Sequence, residues 1–215
     1  MKRMKSKINL PSKEEYFKLL DEFKVPGNVR KHNYQVNQGS MALAKELIKV
    51  GEEIDLELLD MASLFHDFLR VVDMKELDTE EYGYTASEEE IEFWKQLREE
   101  YQGMHHGDAT AKFLQEKYPE LAKTVRRHKY HCLSTDDAPQ TWEEKILNYV
   151  DKRVKHDELV SLKERFDDIE KRYPELKTNP ESIKNKGLII ELEKEIFDKL
   201  SIKPEDLKRI TDEEK

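Results

Sequence analysis

Apolar residues recur along this chain every three to four positions, and capping residues, glycine or proline separate the runs. Ser12-x-x-Glu15, preceded by Pro11, has the form of a capping box and predicts a first helix to about Lys24. Val25-Pro26-Gly27 breaks it. Asn28 is placed to cap a second helix carrying His32, Val36, Met41, Ala44 and Leu47, which Gly51 ends. Asp55 opens a third helix whose Leu56, Leu58, Leu59, Ala62, Leu64 and Phe65 predict near-complete burial. Ser87-x-x-Glu90 starts a helix with Ile91, Phe93, Trp94 and Leu97, stopped by Gly103. Further helices are expected after His106, with Ala109, Phe113 and Leu114, and from Pro119 towards His128, with a loop from Leu133 to Gln140. Thr141-x-x-Glu144 caps a long helix with Ile146, Leu147, Val150 and Val154, and the same spacing runs on through Leu159, Leu162, Phe166 and Ile169 to Tyr173, where Pro174 closes it. Thr178-Asn179-Pro180 begins the last substantial helix, with Ile189, Leu192, Ile196 and Leu200. No stretch shows the period-two alternation of a strand, so the expected fold is all-α. The expected organisation is one helical domain over residues 1–173 with an insertion near 72–104, and a helical extension over 174–215 packed on it. Within the insertion, the acidic and irregular stretch 72–86 is the candidate lid.

Charged residues make up 40% of the chain and hydrophobic ones 37%, which suits amphipathic helices with heavily charged outer faces. The 47 acidic and 38 basic residues are mixed within helices rather than blocked by sign. A net charge of -9 argues against general nucleic-acid binding. No apolar run approaches the roughly 20 residues of a membrane span. The N-terminal MKRMKSKINLPSKEE has no hydrophobic segment behind its basic residues and is not a secretory signal. Cys132 is the single cysteine, so no intrachain disulfide can form, and a cytoplasmic location is expected.

The chemistry is concentrated in one ordered set: His32, the adjacent His66-Asp67, His106, His128 and Asp151. Imidazole nitrogens and carboxylate oxygens without cysteine suit one or two divalent ions, Fe, Mn, Zn or Mg, at a hydrolytic centre better than a thiolate structural zinc. His66-Asp67 also ends a markedly apolar helix, where polar groups without partners would be costly. The competing reading makes these histidines ordinary surface or capping residues.

With these residues the chain resembles the HD-domain superfamily of metal-dependent phosphohydrolases. The resemblance rests on Val29-Arg30-Lys31-His32, on LLDMASLFHDFLR, HGDATAKFL, TVRRHKY and KILNYVDKRV, and covers roughly residues 28–155. It implies an all-helical bundle with the site at its centre and the signature H…HD…D at His32, His66, Asp67 and Asp151. A subgroup of the family adds two histidines and builds a two-metal site; His106 fits by its spacing to Ala111, and His128 by the run Val125-Arg126-Arg127 before it. His105 and His131 stand close enough in sequence to take their places. The similarity is nearest to HD-type diadenosine tetraphosphate hydrolases and HDIG phosphohydrolases, although the family's HD-I-G-K reads His66-Asp67-Phe68-Leu69-Arg70 here. The implied activity is hydrolysis of a phosphate ester or anhydride of a small phosphorylated metabolite, a nucleotide or dinucleotide, by attack of metal-bound hydroxide. Two ions about 3.5–4 Å apart would clamp a phosphoryl oxygen and activate water, with Asp67 bridging.

Arg70, Lys152 and Arg153 lie beside ligands in sequence and are the candidates for balancing phosphate charge, although Lys152-Arg153 reads equally as solvated helix charge. Two other functions share these residues. One is a di-iron oxygenase of the same fold, distinguished by oxygen uptake. The other is a nucleotide- or metal-binding module without turnover. The insertion and the C-terminal extension are where specificity and homodimer contacts are expected.

Overall fold

The computed structural model describes residues 8–75, 77 and 85–213. The fold is all-α: α1 (Lys13–Glu22), α2 (Gly27–Lys49), α3 (Leu56–Phe65), α4 (Glu88–Glu100), α5 (His106–Leu114), α6 (Pro119–Arg126), α7 (Trp142–Asp151), α8 (Leu162–Arg172), α9 (Pro180–Phe197) and α10 (Leu207–Asp212), with one small antiparallel hairpin of β1 (Val154–Lys155) and β2 (Glu158–Leu159). Residues 76 and 78–84 of the candidate lid lie outside the described residues.

Local chemistry sets most helix ends. Asp55, Ser87, Thr141 and Asn179 each accept the backbone N–H three residues ahead, and Glu90 and Glu144 complete reciprocal boxes. Ser12 accepts from the Glu15 N–H, but the Glu15 carboxylate turns away to Tyr118 and Lys117, tying α1 to the end of α5. Asn28 does not cap α2: the helix starts one residue earlier behind Pro26, with no side-chain cap.

A second expectation is corrected. The helix starting at Thr141 does not run on to Tyr173; α7 stops at Asp151, and Val154 pairs with Leu159 across the hairpin. His156 makes the turn with φ of +57°. Ser161 then starts α8 with a reciprocal box to Glu164. The apolar residues of the hairpin keep step with the helical spacing by coincidence, because two-residue strands are too short to show an alternation.

The core is continuous across the chain. Val36, Leu43, Leu59, Ala62, Phe65, Leu121, Ile146 and Leu147 are fully buried, and Ile189, Ile196 and Leu207 of the C-terminal helices join the same cluster. α2 and α7 meet at Gly39, where a Cβ would sit 2.9 Å from Val150 Cγ1, so only glycine allows this approach. α2 packs against α3, α7 and α10, and α9 packs against α7. This arrangement brings the ends of α3, α6 and α7 and the start of α5 towards the middle of α2. No helix among the described residues is long and apolar enough to cross a membrane.

Arg153 is placed in this scaffold rather than in a site. It is buried, and its guanidinium donates to Val160 O, Tyr149 Oη, Glu193 and Pro204 O, joining α7 to the hairpin, α9 and the chain before α10. These bonds commit the guanidinium that the sequence offered for a phosphate contact to the scaffold. Arg153→Met leaves buried acceptors unpaired and is expected to cost about 3 kcal/mol. A urea midpoint lowered at constant slope checks this; an unchanged midpoint contradicts it.

Candidate metal centre

The ligand candidates arrive mostly at helix ends, where backbone groups lack helical partners. His66 follows α3, and its Nδ1 lies 2.8 Å from the Ser63 carbonyl. His128 follows α6, with Nδ1 2.6 Å from the Val125 carbonyl. Each ring thus leans on a carbonyl of the last turn of the helix before it. His32, in the first half of α2, has Nδ1 2.8 Å from the carbonyl of His156 in the hairpin turn. His106 opens α5, and its Nδ1 lies 2.8 Å from Asp73 Oδ2.

With a carbonyl or carboxylate accepting from Nδ1 behind each ring, the neutral form of all four points its Nε2 lone pair inward. They converge on two carboxylates. Asp151 Oδ1 is 3.1 Å from His32 Nε2 and 3.5 Å from His66 Nε2. Asp67 Oδ1 is 2.9 Å from His106 Nε2, 3.5 Å from His128 Nε2 and 3.8 Å from His66 Nε2. Among the described residues three groupings have metal-ligand spacing: His32–His66–Asp67 and Asp67–His106–His128, which share Asp67, and Asp73–His105–His106 beside them.

With the rings neutral, acceptors face acceptors at these distances, and a cation or a ring proton between them relieves the repulsion. His66 Nε2 is buried without any hydrogen-bond partner, which is the unsatisfied atom a ligated cation would explain. The residues therefore fit a divalent ion, and the buried His/Asp clusters can hold one. The charges agree. Burial opposes ionisation of Asp67, but His106 and His66 outweigh it and hold the carboxyl well below the usual range. For Asp151, burial is likewise outweighed by Lys152 and by the His32 bond. Burial lowers His128 to about 4, so it is neutral and ready to ligate at pH 7.

Other sequence candidates separate cleanly. His105 caps α5, its Nδ1 accepting the Gly107 N–H, so the structure brings His106 and not His105 to Asp67. His131 packs edge-on against His105, with ring centroids 5.6 Å apart, while His128 faces Asp67. Lys152 is buried, donating to Asp151 Oδ2 and to His128 O, and so braces two ligand candidates. Arg70 pairs with Asp73, and its Nε is 3.9 Å from Asp67 Oδ2 on the partly open side of the site. Phe68 and Leu69, directly after His66-Asp67, are buried in the core, and Phe68 stacks on Phe113. Cys132 is buried and free, a packed thiol.

Sequence reasoning missed two supporting residues. Asn148 is fully buried and donates to the carbonyls of Arg127 and His128, fixing the turn that carries His128. Asp73 belongs to the acidic stretch read as a lid, yet it holds both the His106 backbone N–H and ring Nδ1. Arg70 Nη1 also lies 2.8 Å from that Nδ1, but a protonated Nδ1 faces the carboxylate, since two donors repel. Asp73→Asn is expected to weaken metal affinity about 10–100-fold with little change in unfolding midpoint. Titration with Mn(II) followed by its paramagnetic resonance measures this, and wild-type affinity would remove Asp73 from the site. Comparison with protein-family models, curated proteins and solved structures finds no match to this chain.

Proposed function

We propose that this chain is a metal-dependent phosphohydrolase of the HD type, acting on a small phosphorylated metabolite, with nucleotides and dinucleotides as the first substrate class. One observation carries the reading: four imidazole Nε2 atoms, each ring fixed from behind, converge on Asp67 and Asp151 with Asp67 common to two groupings. His32, His66 and Asp151 would hold one ion, His106 and His128 the other, and Asp67 both. Divalent ions in such a site supply Lewis acidity towards a phosphoryl oxygen and activate water near neutral pH. The chain supplies the rest: Asp73 orients His106, Lys152 keeps Asp151 ionised and turned inward, and Arg70 offers a cation on the open side. Phosphoryl transfer needs little beyond such positioning and charge compensation.

The test is product release from nucleotides, dinucleoside polyphosphates and sugar phosphates by Mn- and Fe-loaded protein, with Asp67→Ala alongside. Metal-dependent cleavage missing in the variant is the expected result. Folded, metal-loaded protein that releases no product from any of them would overturn the hydrolase reading, and oxygen uptake by the iron form would replace it with oxidative cleavage.

A further inference from the structure

His105 stands outside the two groupings that share Asp67, yet it lies against them. Its ring packs on that of His106, with centroids 3.9 Å apart and planes inclined by 36°, and its centroid is 6.2 Å from that of His128. One of its nitrogens lies within 4.8 Å of an Asp73 carboxylate oxygen. The exposed ring of His131 meets it edge-on at 5.6 Å. His105 is half-buried, so its ring sits between the buried ligand candidates and solvent.

The hydrogen bonding of this ring is the reverse of theirs. The four ligand candidates turn Nδ1 to an acceptor and Nε2 to the carboxylates. At His105 the Gly107 N–H, left open by the start of α5, donates to Nδ1 at 3.0 Å. A nitrogen that accepts this bond holds no proton, so the ring carries its proton on Nε2. The same bond argues against a metal at Asp73–His105–His106. The His105 Nδ1 lone pair is used by the helix, Nε2 is protonated, and His106 Nδ1 faces Asp73. What His105 offers is a fixed N–H donor. Nε2 lies across the ring from the Gly107 bond. It makes no hydrogen bond among the described residues and, unlike His66 Nε2, is not closed off from solvent.

An uncharged donor suits this place. Divalent ions at Asp67 would repel a further cation but not an N–H dipole. A neutral imidazole at a helix N-terminus can polarise a substrate oxygen. Arg70 borders the same spot: it pairs with Asp73, and its Nε is 3.9 Å from Asp67 Oδ2. We infer that His105 is a substrate-contact residue, donating Nε2–H to an oxygen of a phosphoryl group held beside Asp67, with Arg70 as the second donor. The inference rests on the phosphohydrolase reading for the identity of that oxyanion. Nδ1 serves the helix and Nε2 the substrate, and substitution can separate the two.

The test is calorimetric titration of inorganic phosphate into the Mn(II)-loaded full chain, for wild type, His105→Asn and His105→Ala. Metal content and urea midpoint are measured on the same samples. Asparagine is a good helix N-cap, so His105→Asn keeps the bond to α5 and loses the reach of Nε2. His105→Ala loses both. The phosphate Kd is expected to rise about tenfold in both variants at unchanged metal content. The midpoint should fall in His105→Ala alone. A Kd that rises only in His105→Ala is the result of a cap and nothing more, and overturns the inference. Wild-type protein that retains Mn(II) but binds no phosphate also overturns it. The phosphohydrolase reading fails separately: wild type that binds phosphate with this dependence on His105, yet releases no product from any phosphorylated substrate, keeps the donor and loses the hydrolase.

Discussion

Asp67→Ala protein is expected to purify folded but with less than about a tenth of the metal of wild type, and to show no metal-dependent turnover. Asp67 is the residue shared by His32–His66–Asp67 and Asp67–His106–His128, so its loss opens both at once. Losing a residue that merely supports a ligand costs about 10–100-fold in metal affinity, and a shared ligand should cost more. The histidines also lose the buried counter-charge that holds His66 and His106 above their ordinary range against burial. Asp67→Asn keeps the shape while removing the charge, and should lose metal to a similar extent with a smaller effect on folding. Elemental analysis of the three proteins decides the matter. Wild-type metal content in Asp67→Ala would falsify the two-grouping site.

Gly107→Ala is expected to damage the second grouping and spare the first. A Cβ at position 107 would lie 2.8 Å from His128 Cε1 and 3.0 Å from Lys129 Cγ. The lysine stem can give way. The imidazole cannot easily do so, since Nδ1 is fixed by Val125 O and the carbonyl of the same residue is held by Asn148 and Lys152. Either the ring leaves Asp67 or α5 shifts and takes His106 with it. Overpacking of this kind costs about 1–3 kcal/mol. Bound metal should fall to about half of wild type, because His32, His66 and Asp151 are untouched. Gly187→Ala is the control: that glycine has open space around it in α9, where alanine should stabilise by about 0.4–1 kcal/mol. Opposite signs at the two glycines are the signature. A stabilised Gly107→Ala with full metal content would show that His128 is not constrained as described.

The parts of this molecule legible in its sequence are those that act locally. The boxes at Ser87 and Thr141 close within three residues and could be read directly. Ser161-x-x-Glu164 has the same form, but the apolar spacing from Val150 to Leu162 masked it, so the hairpin was missed. The six ligand candidates were legible because metal chemistry restricts residue type, and their order survives any loop length. Their supports were not. Asp73 meets His106 across 33 residues, and the carbonyl of His156 reaches His32 only because the hairpin turns there. Sequence adjacency misled at Lys152 and Arg153. Neighbours at a helix end point about 100° apart, so one braces Asp151 and the other joins the scaffold to α9.

The anchors behind the imidazoles divide the site by mutational exposure. His66 and His128 lean on main-chain carbonyls of residues 63 and 125. Every amino acid supplies that oxygen, so drift at those positions leaves the two rings aimed. His106 leans on a side chain, and a single base change at the Asp73 codon removes its anchor. His32 likewise leans on a main-chain carbonyl, so within a population of variants three of the four rings are buffered by the genetic code and the fourth is tunable by it. Adjustment of metal preference or loading would then arise first on the His106 side.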